Sequence, residues 1–353
     1  MRFILHNRFY LNFEILLQSK SYTMRHCFYY ISLSLVLFSF PSCRKKEMKD
    51  KWNDTLRSGI IKVASDENFE PMMEAQVNSF EAHHDYQAII VPVYDNEKNV
   101  IRLLIEDSVR LAVSSRNLNA AEKAELESRN AYVKTFLIAF DGIALITNTM
   151  NQDSLMSIST IRKILTGEIT EWSQINPKTT LGAVRVLFDS GNSGILRYAV
   201  DSIAGRGEDV SGNLYALNSS LEVLEKVIEM PNTIGLIGVS FLSDEVRPEL
   251  RELNKNIRIL RISREEKPTL ANSYLPYAGD IRLENYPFWR PVYALLTDPR
   301  GGLSSGFTVF LSQEVGQKIM LHSGLFPILN SNVTDVRIID VPLGEKYRSR
   351  TIN

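Results

Sequence analysis

The feature that most constrains this chain is a repeated unit of strand, polar loop and helix. Ile60-Ile61-Lys62-Val63-Ala64 reads as a short strand, Ser65 to Pro71 as a polar loop, and the next stretch as a helix with Met72, Met73, Ala75, Val77 and Phe80 on its buried side. Tyr86 to Tyr94 reads as a second strand, Asp95-Asn96-Glu97-Lys98 opens a helix carrying Val100, Ile101, Leu103, Leu104 and Ile105, and Arg110 to Val113 is a third strand ending at Ser114-Ser115-Arg116. Further on, Val184 to Phe188 reads as a buried strand and Ile195 to Ile203 as a helix, with Asp189-Ser190-Gly191-Asn192-Ser193-Gly194 between them. Units of this kind build an α/β fold around a mostly parallel sheet. In such sheets ligands sit beyond the carboxyl ends of the strands, where Asp66 to Phe69, Asp95 to Lys98, Ser114 to Arg116 and Asp189 to Ile195 all gather.

The loop before Ile195 aims backbone N–H groups and a serine hydroxyl at the positive end of a helix, which attracts an oxyanion. The plainer reading makes Ser193 an ordinary helix cap. Phe136 to Phe140 and Ile143 to Asn148 are apolar strands separated by Asp141-Gly142. They read either as a hairpin or as one long path between two domains.

The chain carries a net charge of −1 with 23% charged residues, so no global field would hold nucleic acid or an anionic membrane. Any anion must be caught locally. A hydrophobic fraction of 44% over 353 residues suffices for two ordinary cores and is too low for a polytopic membrane protein. The amino end differs. Met24-Arg25-His26 precedes an apolar run from Phe28 to Phe40 closed by Pro41-Ser42-Cys43, the parts of a secretory signal with Cys43 as a lipidation site. Phe40 and Pro41 depart from the usual lipobox, which leaves a plain signal or an uncleaved anchor as alternatives. Residues before Met24 read as an upstream extension, with Met24 the true start. The only cysteines are Cys27 and Cys43, so the folded body is expected to contain no disulfide. Residues 1–43 are assigned to the signal segment and 44–58 to a charged tether.

Several short blocks, in this order, resemble the phosphate-binding proteins of ABC importers (PstS-like). They are Asp141 to Asn148, Ile161 to Trp172 with its Leu165-Thr166-Gly167 core, Ser193-Gly194, Asn232 to Gly238, Tyr286 to Tyr293, and Gly316-Gln317-Lys318-Ile319 followed by Gly324 to Pro327. The resemblance implies a type 2 periplasmic-binding-protein fold, two α/β lobes with the ligand cleft between them. It places the first lobe at residues 59–141 plus 284–353 and the second at 142–283. It also implies ligand contacts from Asn68 and Phe69, from Glu97, from Ser114, Ser115 and Arg116, and from Ser193, Gly194 and Ile195. Departures from the family pattern are informative. Arg116 stands where an acidic residue is usual, Asp189 stands near the place of an arginine, and Ile195 replaces threonine, as if the charges had been exchanged between lobes.

A phosphate site needs many donors and benefits from one acceptor for the remaining proton, and an arginine fork matches two oxygens at once. Arg116 is the expected clamp, with a salt bridge to Asp189 or Asp141 as its structural alternative. Asp66 and Glu67 read as proton acceptors, as caps of the helix at Asn68, or as partners that hold Arg116. Asp141 reads as cleft floor or hinge turn. Asn192 and Arg197 are secondary candidates, Arg197 either assisting or facing solvent. Neither a cofactor nor a metal is expected: His83 and His84 are adjacent, and no Cys or His-x-x-Glu spacing accompanies them. A serine hydrolase would need a base near Ser193, and Ile195 fills the second glycine place of the Gly-x-Ser-x-Gly elbow. The expectation is therefore a monomeric, non-enzymatic lipoprotein of the periplasm that captures an inorganic oxyanion, phosphate foremost, for an ABC permease in the inner membrane. The alternatives are an envelope sensor or scaffold of the same fold, and a relative specific for another tetrahedral anion such as sulfate.

Overall fold

The computed structural model describes residues 54–328, except 206–209, 211, 244 and 246. The signal segment with Met24 and Cys43, most of the tether and the residues after 328 lie outside the described residues.

The expected units form. Strand β1 (Gly59–Asp66) leads through a 3-10 turn at Glu67–Phe69 into α1 (Glu70–His83), β2 (Ala88–Asp95) into α2 (Glu97–Ile105), and β3 (Leu111–Ser114) into α3 (Ala120–Ser128). Caps start these helices at the loops: Asp66 Oδ1 accepts from the Asn68 N–H, Asn96 Oδ1 from the Asn99 N–H, and Asn119 forms a reciprocal box with Glu122. β1 pairs in parallel with both β2 and β3.

Strand β4 (Lys134–Asn148) then runs unbroken for 15 residues through Asp141-Gly142. The hairpin reading fails here, because β12 (Trp289–Leu296) lies antiparallel against the segment and supplies the ladder that a turn would have lost, with Arg290 opposite Asp141 and Trp289 opposite Gly142. A side chain in place of Gly142 would meet Ile281, Pro276 and Val239 at 3.0 Å. Packing, not a turn, is what this glycine serves.

Beyond β4 come β5 (Leu155–Ser157), α4 (Ile158–Leu165), β6 (Arg185–Phe188), α5 (Gly194–Tyr198) continuing as a π-helical stretch over Ala199–Gly205, β7 (Leu214–Ala216), α6 (Ser220–Glu229), β8 (Thr233–Gly238) and α7 (Val239–Leu242). The chain continues with α8 (Arg251–Asn254), β9 (Ile257–Ile259), β10 (Arg261–Ser263), β11 (Ser273–Tyr274) and α9 (Ala278–Arg282), and returns through β12 to α10 (Leu303–Ser312), α11 (Glu314–His322) and β13 (Phe326–Pro327). The strand path is β2-β1-β3-β12-β4-β8-β6-β7, with β9 and β13 also on β4, and β11-β10-β5 form a small separate sheet.

Parallel pairing holds toward both ends of this path. Its middle is antiparallel because β4 carries the chain from one half to the other and β12 returns beside it. Each half buries its own apolar faces. Met72, Phe80, Phe307 and Leu311 pack on one side of the first half and Val100, Leu104 and Leu126 on the other. Trp172, Ile161, Ile195 and Ile203, and then Val223, Leu224 and Phe241, do so for the second. The result is a mixed α/β body of two lobes, and the ends of β1, β3 and β6 face one another where the lobes meet.

Candidate functional site

Arg290 stands at the centre of that junction. The β12 register sets it across from Asp141, and its side chain is 1% exposed. Its Nε donates to Asp141 Oδ2 at 3.1 Å and Nη2 lies 3.0 Å from the same oxygen. Its Nη1 reaches Ser115 Oγ at 3.4 Å and lies 3.9 Å from Asp66 Oδ2. The guanidinium carbon sits 5.0 Å from the centre of the Phe69 ring, a cation–π contact.

Burial alone would lower the Arg290 pKa, but Asp141, Asp66 and Glu97 outweigh it and raise it. Burial pushes Asp141 up, against the opposing pull of Arg290 and of N–H groups at the start of α7. Burial likewise drives Asp66 up to about 6, with Arg290 opposing and Glu97 adding to the rise. Glu67 rises to about 7, through burial first and then the charges of Asp189, Asp66 and Asp95. Burial raises all three carboxyls, and their mutual repulsion in one poorly solvated place adds to the rise at Asp66 and Glu67.

Asn68 ties the lobes together. Its Nδ2 donates to Asp66 Oδ1 at 2.9 Å and to Asp189 Oδ2 at 2.8 Å, its Oδ1 accepts from Ser220 Oγ at 3.1 Å, and its carbonyl accepts from Ser240 Oγ at 3.0 Å. Asp189 also accepts from the Ser190 N–H at 2.9 Å. Asp189 is therefore held by amides, without a guanidinium.

Glu97, at the first position of α2, sends its carboxylate across to the second lobe. Arg197 donates from Nε to Oε1 at 2.7 Å and from Nη2 to Oε2 at 3.1 Å, and Ser115 Oγ donates to Oε2. Arg116 Nε lies 3.5 Å from Oε1. Burial would raise the Glu97 pKa, but the hydrogen bonds and charge of Arg197, with Ser115 and Arg290, hold it below the ordinary value.

Several expected residues thus meet around Arg290: Asp66, Asn68, Phe69, Glu97, Ser115, Asp141, Asp189 and Arg197. Gly194 lies among them. A methyl group on it would come within 2.6 Å of Ser115 Oγ, 2.8 Å of Glu97 Oε2 and 2.9 Å of Arg290 Nη1. Others are engaged elsewhere. Arg116, the expected clamp, gives its fork to Glu122, at 2.7 and 2.8 Å, and not to Asp189 or Asp141, its structural alternatives. The Asn119–Glu122 capping box already holds that carboxylate beside the loop, which explains the diversion. Ser114 Oγ accepts the Arg116 N–H at 3.3 Å and Ser193 Oγ accepts the Leu196 N–H at 3.1 Å, both local caps. The Ile195 side chain joins the second lobe's core, and Asn192 is exposed. Sequence reasoning missed Arg290, Ser220 and Ser240. For Arg290 a signal existed, a lone cation inside the apolar run Phe288-Trp289-Arg290-Pro291-Val292.

Beside the cluster an open hollow of about 490 Å³ is lined by Arg116, Arg197, Arg264 and Arg290 with Tyr198 and Trp289. Three of these four arginines are paired with Glu122, Glu97 and Asp141, so the hollow offers an approaching anion N–H donors in the company of carboxylates. Among the described residues no group of His, Cys, Asp and Glu is arranged to hold a metal ion, and no helix is long and apolar enough to cross a membrane.

Comparison with known proteins agrees with this architecture. The family described as the PBP superfamily domain matches residues 53–314. The phosphate-binding protein PstS of Borreliella burgdorferi is 22% identical over 276 residues, 76% of this chain and 90% of that protein. Among solved structures, a putative phosphate ABC transporter substrate-binding protein from Clostridium perfringens, with bound phosphate, superposes with a TM-score of 0.63 at 20% identity, covering 77% of this chain and all of the other. An ABC-type phosphate transport receptor from Vibrio cholerae gives 0.55 at 20% identity over 76% of this chain and 100% of its own.

Proposed function

The chain belongs to the PBP superfamily, and on that premise we propose that it is a solute-binding protein whose cleft captures an inorganic oxyanion, phosphate foremost, for an ABC importer. The observation that carries this reading is the buried Arg290 guanidinium at the lobe junction, bonded to Asp141 and Ser115 of the first lobe with Gly194 of the second close against it. Burying a charge costs several kcal/mol unless it is matched, and Asp141 supplies that match while Nη1 points toward Ser115 and Gly194. Asp66 bears on the choice of anion. Its Oδ2 has no hydrogen-bond partner among the described residues, and it titrates at about 6. In its ionised form such a group accepts a hydrogen bond from the P–OH of hydrogen phosphate and disfavours sulfate, which carries no proton at neutral pH.

The expected mechanism is closure of the lobes on the ligand, with the closed surface presented to a membrane permease. The lobe limits at 59–141 with 284–353, and at 142–283, belong to this reading. So do secretion, a lipid on Cys43, a periplasmic site and a monomeric state. The Ser193 hydroxyl caps a helix and is not poised for attack, so the reading is one of binding, not hydrolysis.

Calorimetric titration of the purified protein with phosphate, sulfate and molybdate is the test. Phosphate should bind best, and Arg290→Lys should weaken it about tenfold or more, the worth of one charge-assisted hydrogen bond. Equal, weak heats for all three anions would defeat the transport reading. They would favour the second reading, an envelope sensor or scaffold with weak ligand binding, for which the engagement of Arg197 by Glu97 is the supporting observation.

A further inference from the structure

Glu97 is the oddest member of the cluster. It is an acid, 4% exposed in its side chain, set among the donors that an oxyanion would use. Both of its oxygens are satisfied from across the lobe junction or from the neighbouring loop, by two Arg197 nitrogens and the Ser115 hydroxyl. Arg290 touches the same Ser115 hydroxyl, and Gly194 lies against Oε2 so closely that no side chain would fit between them. A carboxylate is itself a planar oxyanion, and a bidentate arginine fork accepts it as it accepts two oxygens of phosphate. Arg197 belongs to α5 in one half of the sheet and Glu97 to α2 in the other, so this pair also spans the junction.

We propose that the Glu97 carboxylate is a built-in occupant of the oxyanion position that holds a closed form without ligand, and that a solute gains Arg197 and Ser115 only by displacing it, after which the lobes close on the solute instead. The inference rests on the oxyanion-binding reading but adds a specificity element to it. An anion binds only if it offers Arg197, Ser115 and Arg290 more than Glu97 already does. Weak competitors are turned away by an internal rival, with no need for a steric barrier. The arginine-lined hollow beside Glu97 is the approach route, since Arg116, Arg197 and Arg290 border both places. An anion arriving there meets Arg197 from its open side, and the displaced carboxylate swings toward Arg116, whose Nε already lies 3.5 Å away.

The experiment has two arms on the full chain, comparing the wild type with Glu97→Ser and Glu97→Gln. In the first, spin labels at Lys123→Cys and Lys178→Cys, with Cys27 and Cys43 replaced by serine, report the distance between lobes in the absence of phosphate. The expected result is a single short distance for the wild type and a longer, broader distribution for both variants. In the second arm, phosphate is titrated into each protein, and Glu97→Ser should bind about tenfold more tightly, because the competing closed state no longer taxes the affinity. Unchanged distances in the variants overturn the proposal. So does wild-type affinity equal to that of Glu97→Ser. Opening without phosphate binding in any of the three proteins upholds the internal occupant and defeats the phosphate reading. Unchanged distances with tight wild-type binding do the reverse.

Discussion

Asp66 carries a pH signature that follows from where it sits. Its pKa is raised from 3.8 to about 6, mainly by burial, so the folded protein favours its protonated form. For an acid shifted in this direction, stability is fully present below the unfolded value near 4 and is lost as pH rises through about 6. The shift corresponds to about 3 kcal/mol. Asp66→Asn keeps an acceptor for Asn68 and removes the titration, so chemical denaturation should show the variant gaining on the wild type as pH rises from 5 to 7.5. Glu97 works in the opposite sense. Its pKa is depressed, so its contribution is present above the ordinary carboxyl range and is lost on acidification. The two carboxyls give ligand-free stability an optimum between their titrations. At Arg290 the prediction is one of coupling. Arg290→Met leaves Asp141 and Asp66 buried beside an apolar chain and should cost about 3–5 kcal/mol. Asp141→Asn added to it should recover part of that loss, and a double-mutant cycle in urea measures how much.

Among the elements, helix α6 and strand β8 pack so closely that Gly235 is required. A methyl group there would lie 2.8 Å from both Val223 Cγ1 and Val227 Cγ2. Gly235→Ala should destabilise the protein by about 1–3 kcal/mol through overpacking, whereas Gly191→Ala, which meets nothing within 4 Å, should leave the urea midpoint unchanged. Elements were also the most legible scale in the sequence. Helices α1 and α2 and the strands before them follow from the period of their apolar residues and from Asp and Asn caps, which are local properties. Asp141-Gly142 stayed ambiguous between turn and strand because the answer comes from β12, which arrives 149 residues later in the chain. The same distance hid Arg290. No neighbouring residue shows that it will face Asp141, and only the ladder register does. Arg116 shows the opposite case. Read as the anion clamp, it borders the arginine-lined hollow, while the Asn119–Glu122 box a few residues away takes its fork.

On the scale of the whole molecule, the two halves of the sheet differ in how they are assembled. The second half draws β6, β7, β8 and β9 from one continuous stretch beyond the end of β4. The first half has β12 inserted between β3 and β4, and α10 and α11 covering it, all from near the end of the described chain. Tyr286 and Phe288 belong to the second half's core, so a chain stopped after Phe288 should retain a protease-resistant core within residues 142–288, while residues 59–128 are digested. Limited proteolysis with mass spectrometry distinguishes this from the uniform digestion expected if the halves formed only together.

The insertion of β12 has a further consequence in time. During synthesis β3 and the first part of β4 lack the strand that joins them until residues 289–296 emerge from the ribosome, and Arg290 travels on that segment. Asp141 has no guanidinium opposite it before then, so the junction between the halves is assembled only after the parallel strands on either side of it have been made.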